Sequence, residues 1–82
     1  MSSTMRDNVD QQLETIEMAI YDILQYSKIR NKTVEQSYLD GLVMNSRVQS
    51  IIKSTETLMS INAQLKKALL LNDLREIRMV TK

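Results

Sequence analysis

The sequence predicts an all-α fold built on a long two-helix antiparallel hairpin, with a short third helix as an alternative for the C-terminal segment. Apolar residues recur at steps of three and four in two long segments, which is the spacing of helices that bury one face. The 82 residues include no proline and a single glycine, so few turn signals interrupt these segments. A polar, basic stretch at residues 27–34 separates them. The chain has the length of one small domain, residues 1–82.

The first helix is predicted over residues 5–29. Thr4 followed by Asp7 resembles a capping box, and Lys28 and Arg30 suit the negative end of the helix dipole. Its apolar stripe is Val9, Leu13, Ile16, Ile20 and Ile23. The turn then follows over residues 30–37.

The second helix is predicted over residues 38–72, with two alternatives for its start. Thr33 and Gln36 form a second capping-box candidate that favours a start at Val34. Gly41 favours a start near Leu42, because glycine costs about 1 kcal/mol relative to alanine in a helix interior.

The end of the second helix is predicted near Asn72. Lys66 and Lys67 suit a helix C-terminus, and Asn72-Asp73 can end the helix or cap a short third one. The remaining residues, 73–82, are therefore assigned to a separate short segment.

A heptad-like seam runs along the second helix. Two of its positions, Thr55 and Asn62, are polar, and polar seam positions commonly fix register or partner choice. Leu69, Leu70 and Leu71 lie about 100° apart around the axis, so several neighbours are needed to cover them. The seam positions are Met44, Val48, Ile51, Thr55, Leu58, Asn62, Leu65 and Leu69.

One two-helix seam buries too little apolar surface to offset the entropy of ordering the whole chain. Further apolar residues lie outside it: Met18, Val43, Ile52, Met59, Ile61, Ala68, Leu70 and Leu71. A second pair of helices is required, so we expect a four-helix bundle completed by a partner chain. The predicted interface and core residues are the stripes of both helices together with Met59, Leu70 and Leu71.

Charge is uneven although the net charge is only +1. Through Tyr26, Arg6 is the one cation against five carboxylates, and the rest of the chain carries ten Lys and Arg against five carboxylates. We interpret this as an acidic first helix folding back on a basic second helix, with a nucleic-acid patch as the alternative.

The sequence contains no pattern that indicates catalysis, metal binding or cofactor binding. The sequence has neither histidine nor cysteine, which removes the commonest general base and the usual metal ligands. Asp10, Glu14 and Glu17 share a helical ridge, which we interpret as solvated. We therefore expect no catalytic activity, no cofactor and no metal. No apolar run is long enough to span a bilayer, and the N-terminus lacks a signal-peptide core, so we expect an intracellular protein.

The segment RVQSIIKSTETLMSINAQLKKALLLND resembles the signature helix of the Mediator complex subunit twenty-two family, of the Surfeit-locus-five or Srb-six type. The first-helix segment IEMAIYDILQYSKI is similar to that family as well. The Glu-x-Leu-Met and Leu-Asn-Asp elements are the most specific. The matching positions are Arg47, Ile51, Glu56, Leu58, Met59, Leu65, Lys66, Leu69, Leu71, Asn72 and Asp73.

This resemblance implies a nuclear, non-catalytic structural subunit of the Mediator coactivator head module. It implies that the hairpin pairs with that of Mediator subunit eleven in a four-helix bundle and contacts subunit seventeen and other head-module subunits. RNA polymerase II is then engaged indirectly, without direct contact with nucleic acid or membrane. The seam residues are the implied functional residues, with Thr55 and Asn62 as candidates for pairing specificity.

Two other classes of protein fit parts of the pattern. A homodimeric four-helix bundle that binds RNA would need its cations aligned on one face. A membrane-tethering coiled coil would need longer heptads and an anchor, and no cysteine is present for lipidation.

Overall fold

The computed structural model describes residues 3–28 and 32–81, and the described residues form two helices and no strand. Helix α1 spans Ser3–Tyr26 and helix α2 spans Val34–Thr81. The short connection turns the chain back, so that Asp22 near the end of α1 contacts Arg47 of α2. The all-α hairpin predicted from apolar periodicity is confirmed, and the molecule is a rod of 74 × 18 × 15 Å.

Helix α1 begins earlier and ends earlier than predicted. It starts at Ser3, so Thr4 lies inside the first turn and the proposed Thr4–Asp7 cap is wrong. It ends at Tyr26, where the Ser27 hydroxyl donates to the Leu24 carbonyl at 3.0 Å. The Lys32 ammonium satisfies the Tyr26 carbonyl at 2.7 Å, which explains why the helix stops short of the predicted residue 29. Residue 29, the predicted last residue of the helix, and residues 30–31 of the predicted turn lie outside the described part of the chain.

Helix α2 starts at Val34, so the predicted start at residue 38 and the predicted turn through residue 37 are wrong, and the earlier of the two alternatives is correct. The Gln36 backbone N–H donates to the Thr33 hydroxyl at 3.0 Å, which is the hydrogen bond of an N-cap residue. A full capping box has a second hydrogen bond, from the N-cap backbone N–H to the side chain three residues later. Here that bond is replaced, because the Gln36 side-chain amide donates to Asp40 at 2.8 Å. Gly41 lies in the helix interior, so the cap outweighs its helix-breaking tendency.

Helix α2 does not end at Asn72. It continues through Asp73 to Thr81, so the separate C-terminal segment was a wrong prediction. The Asn72 amide donates to Glu76 one turn later at 3.5 Å, and Leu, Arg, Glu and Met residues, which favour helix, make up most of residues 74–79. Its 48 residues make α2 about 72 Å long, twice the roughly 36 Å of the 24-residue α1.

The two helices meet along a single line of side chains, which we call the hairpin seam. Its members are partly or fully buried and recur at steps of four and three, whereas every described side chain after Leu65 is exposed. Only Ala19 and Ile61 are fully buried apolar residues in the described part of the chain. The seam consists of Met5, Val9, Gln12, Ile16, Ala19 and Ile23 of α1 with Asp40, Met44, Arg47, Ile51, Ser54, Leu58, Ile61 and Leu65 of α2.

Neither helix, over its described residues, has a stretch apolar enough to cross a bilayer.

Candidate partner-binding surface

The predicted interface residues divide into two groups. The first group is half-buried in the hairpin seam and holds the two helices of this chain together: Val9, Ile16, Ile23, Met44, Ile51, Leu58 and Leu65. The second group is exposed to solvent: Leu13, Ile20, Val48, Thr55, Met59, Asn62, Leu69, Leu70 and Leu71. The predicted stripes therefore combine two neighbouring faces of each helix.

The hairpin seam contains residues that the sequence pattern did not indicate. Positions three and four residues apart share a face, so the apolar pattern could not separate Ser54 from Thr55 or Ile61 from Asn62. The structure places Ser54 and Ile61 in the seam, where they are 4% and 7% exposed. Thr55 and Asn62 lie beside the seam, not in it. Ile61, which we expected to need a second pair of helices, is covered by α1.

Arg47 illustrates why the apolar pattern was insufficient. The next residue, Val48, is apolar and was therefore predicted to lie in the seam. Arg47 occupies the seam instead, because its Nε donates to the Asp22 carboxylate at 2.7 Å. Val48 is left 41% exposed. An opposite-charge pair between the two helices was the signal that could have revealed this register.

An exposed apolar face lies on one side of the seam. It consists of Leu13, Ile20 and Leu24 on α1 and Val48, Ile52, Thr55, Met59 and Asn62 on α2. Each of these residues comes one or a few positions after a seam residue and therefore lies on the same flank of its helix. In an antiparallel pair of helices, these two flanks lie on the same side of the seam. Its apolar side chains are between 41% (Val48) and 67% (Met59) exposed. A contiguous apolar surface of this kind is typical of a protein-binding site.

The opposite side of the seam, which we call the polar edge, has a different character. It carries a groove of about 240 Å³ lined by Thr15, Met18, Ala19, Asp22, Arg47 and Ser50. Lys53, Thr57 and Ser60 continue this side along α2. Four of the six lining residues carry a polar or charged group, whereas the exposed apolar face has only Thr55 and Asn62 as polar members, so the two sides of the hairpin differ in character.

The last part of α2, residues 66–81, extends beyond α1, and we call it the overhang. Its described side chains are exposed all around the helix. The large apolar ones are Leu69, Leu70, Leu71, Leu74, Ile77, Met79 and Val80, each more than half exposed. Because these apolar side chains point in several directions, one neighbouring helix could cover only part of them.

Charge contributes little inside the hairpin. Among the described residues, Asp22–Arg47 is the one ion pair that joins α1 to α2, and both side chains are about a third or more exposed. The proposed packing of an acidic helix on a basic one therefore rests on a single contact. Asp10, Glu14 and Glu17 are exposed on α1. No group of three or more carboxylates in the described residues is placed to hold a metal ion.

A second ion pair closes the connection between the helices. Lys32 pairs with Asp40 at 2.7 Å, and Asp40 is only 5% exposed. The hydrogen bonds from Lys32 and Gln36 lower the pKa of Asp40 below its ordinary value, although burial opposes this shift.

Comparison with known families identifies one match, the family described as Surfeit locus protein 5 subunit 22 of Mediator complex, over residues 7–81. No curated protein and no solved structure matches the chain significantly. The family match covers nearly all of the described hairpin, including the exposed apolar face and the whole overhang. The chain therefore belongs to the Surfeit locus protein 5 family, subunit 22 of the Mediator complex, and has the role of a Mediator subunit in transcription.

Proposed function

We propose that this chain is a non-catalytic structural subunit of the Mediator head module and acts in the nucleus. In this proposal its exposed apolar face receives the helical hairpin of Mediator subunit eleven, and the two chains form a four-helix bundle. The observation that carries the proposal is the exposed apolar face itself.

The small apolar core of the lone hairpin supports a partner that is itself a helical hairpin. Two fully buried apolar residues, Ala19 and Ile61, make a very small core for two helices. Packing a second hairpin against the exposed apolar face would bury Leu13, Ile20 and Ile52 without changing the seam. Each of the three is already about half covered, so its complete burial contributes roughly 1 kcal/mol, about half the value for a fully exposed side chain. A four-helix bundle is the usual way to cover two helical faces at once.

Polar residues within the exposed apolar face suit a role in partner choice. Thr55 and Asn62 are exposed in the hairpin, so their side chains are accessible to a partner. A polar side chain among apolar neighbours disfavours partners that leave it unpaired. We therefore retain both as candidates for pairing specificity.

The overhang suits contacts with further subunits. Because its leucines point in several directions, a single neighbouring hairpin would leave part of this surface uncovered. We assign this segment to contacts with Mediator subunit seventeen and other head-module subunits. Contact with RNA polymerase II is then indirect, through the assembled module, and neither nucleic acid nor membrane is bound directly.

Two methionines provide a matched test of the exposed apolar face. Met59 lies on this face and is 67% exposed, whereas Met18 lines the polar edge and is 62% exposed. We expect Met59→Asp to abolish co-purification with subunit eleven, because an unpaired carboxylate in a bundle interior costs several kcal/mol. Met18→Asp should leave binding unchanged.

The measurement is the light-scattering mass of each variant co-expressed with subunit eleven. Far-UV circular dichroism of the lone chains checks that both variants keep the helical content of the unmodified chain. Normal heterodimer formation by Met59→Asp, or equal loss of binding by both variants, would contradict the assignment of this face.

A further inference from the structure

We propose that Ser37 is a phosphorylation site, and that a phosphate on its hydroxyl is held by Lys28 and Lys32 in a groove at the closed end of the hairpin, where the connection joins α1 to α2. This inference goes beyond the proposed function and does not depend on it, because no residue that lines this groove belongs to the exposed apolar face or to the overhang.

The groove at the closed end has a volume of about 330 Å³, and Ser37 is part of its lining. Three charged side chains line it as well: Lys28, which follows α1, Lys32 of the connection, and Asp40 of α2. Two ammonium groups against one carboxylate give these side chains a net charge of +1. The hydroxyl of Ser37 therefore shares a concave surface with an excess of positive charge.

Among the hydroxyl groups near the closed end, that of Ser37 can be modified without removing a contact of the fold. The Ser27 hydroxyl donates to the Leu24 carbonyl at 3.0 Å, and the Thr33 hydroxyl accepts from a backbone N–H as the N-cap of α2. Ser37 lies in the first turn of α2, and its backbone N–H donates to the Thr33 carbonyl at 3.0 Å. Its side chain is exposed and forms no hydrogen bond to another described residue.

Both lysines have donors for a further anion. The Lys28 ammonium donates to a neutral side-chain oxygen, that of Gln25, at 3.1 Å. The Lys32 ammonium uses two of its three N–H groups, on the Tyr26 carbonyl and on Asp40. A phosphate offers three acceptor oxygens and about two negative charges, and it forms charge-assisted hydrogen bonds with such ammonium groups.

The sequence around Ser37 indicates the class of kinase. It is the one serine of the chain that is followed by a carboxylate three residues later, that of Asp40. An acidophilic kinase, whose substrate groove is basic, complements this arrangement. Asp40 is 5% exposed, so the kinase must bind the start of α2 in an opened form. All side chains of residues 33–39 are exposed, so this opening breaks little packing.

The reaction is an ordinary phosphoryl transfer from magnesium-bound ATP. The Ser37 Oγ attacks the γ-phosphorus, and the new O–P bond forms as the bond from that phosphorus to the β,γ-bridging oxygen breaks. ADP leaves, and the hydroxyl proton passes to the catalytic carboxylate of the kinase. When α2 closes again, the phosphate returns to the groove and is attracted by Lys28 and Lys32, which ties the start of α2 to the end of α1 more firmly.

The first test asks whether the hydroxyl is modified in the folded chain. The full chain is incubated with magnesium ATP and an acidophilic serine kinase, and phosphate is located by tandem mass spectrometry. We expect a single phosphate on Ser37 and none on the Ser37→Ala variant. Ser60 is an exposed serine of the same helix without a carboxylate three residues later, and it should stay unmodified. Absence of phosphate from Ser37, or equal phosphate on Ser60, would overturn the inference.

The second test asks whether the lysines hold the phosphate, with its second pKa measured by phosphorus NMR on the phosphorylated chain. We expect Lys28→Gln to raise this pKa by about half a unit, the shift that corresponds to one exposed ion pair. Lys53→Gln makes the same change on the polar edge and should leave the pKa unchanged. The same pKa in the unmodified chain and in both variants would contradict the assignment of the groove. Failure to bind subunit eleven would overturn the proposed function and leave this inference standing.

Discussion

Lys32 and Asp40 join the two helices at the closed end of the hairpin. The Lys32 ammonium donates to the last carbonyl of α1, that of Tyr26, and pairs with Asp40 in the second turn of α2, both at 2.7 Å. The second oxygen of Asp40 accepts from the Gln36 amide at 2.8 Å. One lysine thus completes the hydrogen bonding of a helix end and fixes where the next helix leaves the turn.

The lowered pKa of Asp40 predicts a specific pH dependence of stability. The folded-state pKa lies below the value of about 3.9 that an aspartate has in an unfolded chain. The contribution of Asp40 to the free energy of unfolding is therefore complete above about pH 4 and lost as pH falls through the lowered pKa. Urea unfolding followed by circular dichroism, repeated at decreasing pH, measures this loss.

The Asp40→Asn variant is the control for this prediction. Asparagine keeps the size and much of the hydrogen bonding but has no titrating carboxyl group. We expect the unmodified chain to lose more stability than Asp40→Asn over the acidic range, so that their unfolding free energies converge. Parallel curves for the two proteins would show that the ion pair with Lys32 contributes nothing.

At the scale of the helices, Gly41 offers a way to stabilise α2. It lies in a helix interior with a negative φ, and a Cβ at this position would meet no atom within 4 Å. We expect Gly41→Ala to raise the free energy of unfolding by about 1 kcal/mol, the difference in helix propensity. Ala63→Gly, at an exposed position of the same helix, should lower it by a similar amount. Destabilisation by Gly41→Ala in urea unfolding would contradict the open space that the structure shows at this position.

The helices themselves could be predicted from the sequence because their signals are local. Apolar spacing located both helices, and Thr33 located the start of α2 through a hydrogen bond to a residue three positions away. The end of α2 was missed for the same reason. Asn72-Asp73 resembles a helix stop locally, but nothing after it favours another conformation, so the helix continues to Thr81.

The division of the apolar residues between two faces could not be predicted, because it depends on contacts between distant residues. Arg47 enters the seam through Asp22, 25 positions away. Ala19 and Ser54 enter it because small side chains let the helices approach closely. Once Arg47 and Ser54 define the seam, Val48 and Thr55 must lie beside it, and the exposed apolar face follows.

At the scale of the whole molecule, the unequal lengths of the helices give the rod two different halves. In the first half α1 covers one side of α2, leaving the exposed apolar face on another. In the second half, the overhang, no part of α1 covers α2. A two-part surface of this kind suits a subunit that contacts one partner along the hairpin and others at its end.

This division predicts the effect of removing the overhang. A chain ending at Leu65 keeps every residue of the hairpin seam, so its unfolding midpoint in urea should stay close to that of the full chain. It should also retain the one-to-one complex with Mediator subunit eleven, because the exposed apolar face ends at Asn62. Binding of subunit seventeen to that complex should be lost together with the leucines of the overhang.

Light-scattering masses of the binary and ternary mixtures measure both effects. A full chain with Leu69, Leu70 and Leu71 changed to glutamine serves as the control, since glutamine keeps good helix propensity while removing the apolar surface. We expect this variant to behave like the shortened chain, which would assign the loss to side chains and not to helix length. If the shortened chain failed to bind subunit eleven, the first partner would have to contact the overhang as well as the hairpin, and the separation of the two halves would be wrong.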